Sequence, residues 1–300
     1  MHVQERTVGE RIARGNTSDV WEWTPQTVVK VLLPDIPRHW AALEADITDK
    51  VHAAGLPVPA VDGVIEVDGR PGVVLERIEG ETMWHRMKAS ADEVPRLIEV
   101  LVDIQANVQA TSGIDGLPGL AARIHGKIGE AELVTDDDRR HAQALLTELP
   151  SGTSLCHGDM HPANIVMSPR GMVIVDWFDA AAGHGMADYT RSSLLLRPPE
   201  TPTAEAAHLG GATGDFLERV HCSYLSALVG RGLVEPVLFA TWEALLAVAR
   251  MCEPVPTDDL VSIWGRWLTD GPDATARLLQ RCVEYVAADV GPEASADQPQ

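Results

Sequence analysis

The chain has 300 residues, 24 of them basic and 44 acidic, for a formal charge of −20. That balance argues against a nucleic-acid backbone as partner, which calls for a basic face; it fits a surface kept soluble by charge, or a cationic ligand drawn to an acidic cleft. Hydrophobic residues make up 45%, enough for a packed core, and no apolar run approaches the ~18 residues that span a bilayer, so no membrane partner is expected.

The N-terminus, Met1 to Arg6, is charged and lacks the apolar core of a signal peptide. Cys156, Cys222, Cys252 and Cys282 are scattered without a C-x-x-C spacing. They read as free thiols of a reducing cytoplasm.

Residues Gly9 to Trp23 read as strand, turn, strand, with Gly15, Asn16, Thr17 and Ser18 in the turn. Small residues there let backbone N–H groups approach an anion such as phosphate, although an ordinary hairpin turn has the same composition. Thr27 to Leu33 is an apolar strand interrupted by Lys30. A lysine between two valines needs a partner if it points inward; the alternation of a strand also allows it a solvent-facing position. Pro37 to Ala54 follows as a helix, with Trp40, Leu43, Ile47 and Val51 at spacings of three and four. Gly55 and Pro57 end it. Glu44 and Asp46 are the candidate partners of Lys30, and Glu44, beside Leu43 and Ile47, is the better placed. Val61 to Val67 and Pro71 to Ile78 make two further strands around Asp68-Gly69.

A second region begins near Glu81. Pro95 to Gln109 is an amphipathic helix with Leu97, Leu101, Ile104 and Val108 on one stripe. Thr111 to Gly119 is a loop. Asp136 to Leu149 is a helix with three aspartates in its first turn, where the helix dipole favours them. Ala204 to Ala288 is largely helical and carries Trp242, Trp264 and Trp267 with the acids Glu243, Glu253, Asp258 and Asp259. Asp289 to Gln300 is polar and expected to be disordered.

Between these helical stretches lies Leu155 to Phe178. A short strand, Ser154 to Cys156, opens into a loop holding His157, Asp159, His161 and Asn164. Ile165 to Met167 and Met172 to Val175 form a hairpin around Pro169-Arg170-Gly171, and the second strand delivers Asp176. The hairpin is expected to bring Asp159, Asn164 and Asp176 together. An amide oxygen and a carboxylate are hard ligands that suit Mg²⁺, and a further carboxylate can orient a hydroxyl and take its proton. Phosphoryl transfer from ATP needs this set. Asp159 and Asn164 keep the five-residue spacing of a kinase catalytic loop, and Asp176 stands where the metal-binding aspartate follows, as Val-Asp-Trp rather than Asp-Phe-Gly.

The pattern H-G-D-x-H-x-x-N followed by V-D-W resembles the aminoglycoside phosphotransferase and choline kinase group, small-molecule kinases with a protein-kinase-like fold. The resemblance implies an α+β, bilobal fold: a small antiparallel-sheet N-lobe over residues 1–80, a larger, mainly helical C-lobe over 81–288, and a tail over 289–300. It implies an ATP- and Mg²⁺-dependent phosphotransferase acting on a hydroxyl of a small molecule; the cysteine usage places it in the cytoplasm, and a monomer or homodimer is expected. The acidic balance tilts the acceptor weakly towards a cation such as an aminoglycoside. By the same resemblance Asp159 is the catalytic base, Asn164 and Asp176 hold the metal, and Lys30, paired with Glu44, contacts the phosphates under the Gly15, Asn16 and Ser18 turn. Glu76 and Ile78 lie in the hinge whose backbone binds adenine. His157 and His161 brace the loop, and Asp188 accepts hydrogen bonds from it. Gln109 stands where related kinases often carry a histidine. The C-terminal helices line the acceptor pocket.

Two other classes remain open. In a metal-dependent hydrolase, His157 and His161 form a metal pair, but that spacing needs a helix, which Gly158 and Pro162 disfavour. In a non-catalytic nucleotide-binding module, Lys30, Asp159, Asn164 and Asp176 have no chemical reason to occur together.

Overall fold

The computed structural model describes residues 8–199, 212–253 and 255–289. The expectations for Met1 to Arg6, for the start of the segment at Ala204 and for the tail beyond Asp289 lie outside the described residues. In chain order the strands are β1 (Arg11–Arg14), β2 (Ser18–Thr24), β3 (Thr27–Leu32), β4 (Val61–Val67), β5 (Arg70–Glu76), β6 (Glu81–Thr82), β7 (Ser154–Cys156), β8 (Ile165–Ser168), β9 (Gly171–Ile174) and β10 (Ala181–Gly183). The α-helices are α1 (His39–Ala53), α2 (Met83–Ala89), α3 (Val94–Ala110), α4 (Leu120–Glu130), α5 (Asp136–Glu148), α6 (Gly185–Leu196), α7 (Gly214–Gly230), α8 (Pro236–Arg250), α9 (Asp258–Asp270) and α10 (Asp273–Asp289).

The chain forms two compact units. The first takes Met1–Met83, Ile114–Leu117 and Ala163–Ala180; the second takes Trp84–Gly113, Pro118–Pro162 and Ala181–Gln300. The β8–β9 hairpin thus belongs with the N-terminal strands, whereas the sequence reading assigned it to the second lobe.

In the first unit, five antiparallel strands run in the order β1-β2-β3-β5-β4. β3 is central, with Lys30 opposite Val20 on one side and Val73 on the other. Successive strand residues point to opposite faces. Val29 and Val31 therefore pack on one face with Val67 and Val74. Leu32 packs on the other with Val73 and with Ala41 and Ala45 of α1. Lys30 shares this second, helix-covered face. The β4–β5 turn has Asp68 at φ 50 and Gly69 at φ 73, the paired positive values of a type I′ hairpin. β5 stops at Glu76, where its pairing with Thr27 ends, so Ile78 lies beyond the strand rather than in it.

A second sheet in this unit has the order β6-β8-β9. Gly80 leads into β6 at φ +145, and a Cβ there would stand 2.3 Å from the Met167 carbonyl oxygen. Only glycine lets the chain pass so close to β8.

In the second unit, β7 pairs with β10 and the helices form the core. α8 is buried from Phe239 to Ala249, so it carries almost no polar face. α5 begins with a capping box between Thr135 and Asp138. α4 was not read from the sequence: Gly126 and Gly129 depress helix propensity, but Leu120, Ile124 and Ile128 bury a stripe every fourth residue. Cys222 and Cys282 correct the expectation of four free thiols, because they are joined in a disulfide between α7 and α10. Sixty residues separate them, so no local spacing announced the pair. Cys156 and Cys252 are free. Among the described residues no helix is long and apolar enough to cross a membrane.

Candidate active site

The loop after β7 is held by one face of α6. Gly158 has φ +79, a left-handed turn that favours glycine. Its N–H donates to Asp188 Oδ1 at 2.7 Å, and its carbonyl accepts from Arg191 Nε at 3.1 Å. The Met160 carbonyl accepts from Ser192 Oγ at 2.6 Å. Asp188, Arg191 and Ser192 lie three and four positions apart, which puts them on one helix face. Behind them Gln105 Nε2 donates to Ser192 Oγ at 2.8 Å. Within the loop, Asp159 N donates to Nδ1 of the buried His157 at 3.2 Å.

The Asp159 carboxylate faces Arg191 at 3.4 Å and His161 Nε2 at 3.5 Å. Burial pushes its pKa up, but His161, Arg191 and His157 together outweigh that and hold it far below the usual carboxylate range. Burial pushes Asp188 the other way, above its ordinary value, against the pull of His157 and Gly158. Two carboxyl groups, Asp159 on the loop and Asp188 on the helix that holds it, thus shift in opposite directions: one is kept ionised, the other serves as a buried acceptor for the backbone.

The first unit holds the other cluster. Lys30 Nζ donates to Glu44 Oε1 and to Asp176 Oδ1, both at 2.7 Å. The Lys30 and Glu44 side chains keep only 10% and 4% of their surface exposed, whereas Asp176 keeps 42%. Burial would lower the Lys30 ammonium, but Asp176 and Glu44 raise it above its ordinary value. Burial, with Asp176 and Asp179, pushes Glu44 up against the pull of Lys30; with the ammonium 2.7 Å away, the ion pair is the form the geometry fits. Asp46 is not the partner: it bonds Lys50 on the exposed side of α1.

Asp176 sits just past β9 at φ 66, a left-handed conformation uncommon outside glycine and associated with strained functional positions. Asn164 ends the turn Pro162–Asn164, and its carbonyl accepts from Val175 N at 2.9 Å. The structure therefore brings the ends of β8 and β9 together with Asn164 and Asp176. Their side chains offer an amide and a partly exposed carboxylate, a donor set that fits Mg²⁺, which is commonly held by one or two carboxylates together with substrate phosphates. Among the described residues no group of three or more His, Cys, Asp or Glu is arranged to hold a metal, and the left-handed Gly158 removes the helical spacing that a His157–His161 metal pair would need.

The remaining sequence candidates are placed as follows. Gly15 N donates to Ser18 O at 2.8 Å, closing the β1–β2 turn with Asn16 exposed and Ser18 buried. Glu76 bonds both Arg170 guanidinium nitrogens, at 2.8 and 2.9 Å, and Ala60 N, so its side chain ties β5 to the β8–β9 turn. Gln109 Nε2 donates to Gly185 O at 3.1 Å, at the start of α6. Trp242 and Trp264 are core residues. Glu243 bonds Arg197 and Thr275, and Glu253 bonds Lys127, Arg191 and Arg250, so neither acid is a simple solvated side chain. Arg191 was missed in the sequence, and Glu253, noted there only as one of several C-terminal acids, was not linked to it. The one available signal was that Arg191 follows Asp188 by three positions on a helix.

A model of the phosphotransferase enzyme family matches residues 8–222. The uncharacterized protein YcbJ of Bacillus subtilis (strain 168) is 21% identical over 176 residues, 54% of this chain and 58% of that relative; the match therefore spans less than two thirds of the relative's length. Among solved structures, a choline/ethanolamine kinase family protein from Mesorhizobium loti is 19% identical, with 97% of this chain and 91% of that chain covered and a TM-score of 0.51. An aminoglycoside-3'-phosphotransferase of type VIII is 18% identical, with 81% and 92% covered and a TM-score of 0.54. At such identities the likeness speaks for the kinase-like fold alone.

Proposed function

The chain belongs to the phosphotransferase enzyme family, and from that premise we propose that it transfers the γ-phosphate of ATP, with Mg²⁺, to a hydroxyl group of a small molecule. The observation that carries this reading is the Lys30–Glu44–Asp176 cluster. A buried ion pair adds little or nothing to stability compared with apolar packing, so a lysine buried between two acids calls for a role in binding. A doubly anchored ammonium is a fixed point charge suited to a phosphate oxygen.

In this mechanism Lys30 steadies the phosphates, and Asn164 and Asp176 hold the metal. A bound Mg²⁺ would supply neutralisation of the phosphate charge that develops as the γ-phosphoryl group leaves ADP for the acceptor. Asp159 orients the acceptor hydroxyl. Its depressed pKa makes it a weak base, so it takes the proton only as the new P–O bond forms and the hydroxyl turns acidic. Gly15, Asn16 and Ser18 cover the phosphates by backbone N–H groups, and Glu76 and Ile78 flank the adenine by their backbone. A reaction that draws on ATP would suit a cytoplasmic setting. The formal charge of −20 supports a cationic acceptor such as an aminoglycoside only at long range, where salt screens it.

The test is Asp159→Asn. ATP consumption with a productive acceptor should fall by about a hundredfold or more, while Mg-ATP affinity measured by calorimetry stays within about twofold. Turnover retained in the variant would refute the role of Asp159.

A further inference from the structure

One helix holds Asp176 from two sides. On the polar side, the Asp176 carboxylate accepts from Lys30 Nζ, which also donates to Glu44 of α1, each bond being 2.7 Å long. On the apolar side, the ring of Phe178 lies 4.5 Å from that of Trp40, centroid to centroid, at an interplanar angle of 31°. That distance falls in the range of attractive aromatic pairs. Trp40 stands in the first turn of α1, four residues before Glu44, so the two side chains leave the same side of the helix. Trp40 also packs on the core beneath the sheet with Leu32, Ala41, Ala45 and Val73, which anchors it apart from Phe178. Between the two grips, the buried Trp177 donates from Nε1 to the Ile174 carbonyl at 3.0 Å. Trp40, Phe178, Asp176, Lys30 and Glu44 thus form a closed circuit within the first unit.

We infer that Trp40 is a positioning residue for Asp176: through its contact with Phe178 it holds the backbone of this segment in the geometry that lets the Asp176 carboxylate take a metal. The inference rests on the proposed role of Asp176 as a metal ligand. Asp176 has φ 66, a conformation that persists only where the surroundings over-determine it. Lys30 alone does not do so. Its ammonium is a point charge with rotatable donors, and it constrains a carboxylate oxygen rather than the backbone. The Asp176 side chain keeps 42% of its surface exposed, and turning it towards a cation draws it from Lys30. The ring pair carries no charge, so its hold is unchanged when that happens. The left-handed backbone then depends on the aromatic grip.

The full-length protein is titrated calorimetrically with ADP, without metal and at rising Mg²⁺ concentration. Wild-type binding is expected to tighten with Mg²⁺, and Asp176→Ala to lose that gain. Trp40→Leu keeps an apolar side chain on the core but removes the ring. In this variant the Mg²⁺ concentration that gives half of the gain should rise about tenfold, the scale on which groups behind a metal ligand act, while ADP affinity without metal stays as in the wild type. Trp40→Phe restores a ring and should recover most of the loss. Phe178→Leu should reproduce the effect, and the double variant should be no worse than either single one, because the two side chains act through one contact. If Trp40→Leu lacks a cooperative melt, Phe178→Leu decides alone. The inference is overturned if the folded variants keep the wild-type Mg²⁺ dependence, if metal-free ADP binding weakens as much as metal-bound, or if Trp40→Phe recovers nothing. Mg²⁺ dependence lost in Asp176→Ala but kept in both ring variants would overturn this inference alone. Dependence absent from the wild type, or intact in Asp176→Ala, would sink the metal-binding reading of Asp176 and the inference with it.

Discussion

Lys30 and Glu44 depend on each other. Removing the lysine leaves a buried carboxylate without its cation, and the cost of stranding such a charge is about 3–5 kcal/mol. Lys30→Met should lower the melting temperature by several degrees, and the double variant Lys30→Met/Glu44→Leu should recover most of the loss; a double variant as unstable as the single would show that the pair is not the cause. Glu253 offers a pH test. Burial pushes its pKa up, but Arg191, Lys127 and Arg250 bring it down to about 2 from the model-peptide value of 4.5. A carboxyl depressed on folding stabilises the protein above its unfolded pKa and loses that effect as pH falls through the folded one. The stability gap between the wild type and Glu253→Gln should therefore be full above about pH 4.5, on the order of 3 kcal/mol, and close towards pH 2. Denaturant melts across that range measure it, and a gap independent of pH would contradict the cluster. Asp159, Asn164 and Asp176 stood out in the sequence because their spacing is local. Arg191 did not, and Glu253 was only one acid among several, because 62 positions separate them and nothing in a linear pattern says which acid a buried arginine will meet.

At the scale of elements, strand and helix positions followed from periodicity, and their ends followed from pairing. β4 matches the expected span, whereas β5 ends two residues early because β3 gives it no further partner after Thr27. The buried face of α1 was expected at Trp40, Leu43, Ile47 and Val51. It is rotated to include Glu44 and Thr48, with Trp40 and Leu43 only half-buried, because the helix must deliver a carboxylate under the sheet. α6 shows the same compromise: Asp188, Ser192 and Arg191 are buried polar residues that an apolar stripe cannot reveal. Gly80 tests how tightly the elements meet. Gly80→Ala should cost about 2 kcal/mol or more, from both its backbone angle and the approach to Met167. Gly55→Ala, at φ +86 with open space around it, should cost only about 1 kcal/mol. Equal losses in thermal melts would mean that β6 is not held against β8 as described.

At the scale of the whole molecule, the Cys222–Cys282 link closes a loop of 60 residues, worth about 4 kcal/mol in the chain-entropy account. The oxidised protein should melt higher than the reduced one, and under oxidising conditions an alkylating reagent should modify only Cys252 and, on unfolding, Cys156; modification of Cys222 in the unfolded, unreduced chain would exclude the link. The family and the two kinds of unit could be read from the sequence. The division of the chain between the units could not, because it turns on which residues the β8–β9 hairpin packs with, and the first unit is assembled from three separated stretches, the last being Ala163–Ala180. This has a consequence for the order of events on the ribosome. The five-stranded sheet can pair as soon as Glu76 has emerged, but Glu81 must wait for Met167 and Lys30 must wait for Asp176. A nascent chain halted before residue 163 should remain open to protease around β6, and one halted well past residue 180 should be protected there. Lys30 and Glu44 are thus among the first residues to be made and among the last to be fixed in place, because Asp176, which completes their cluster, is made long after them.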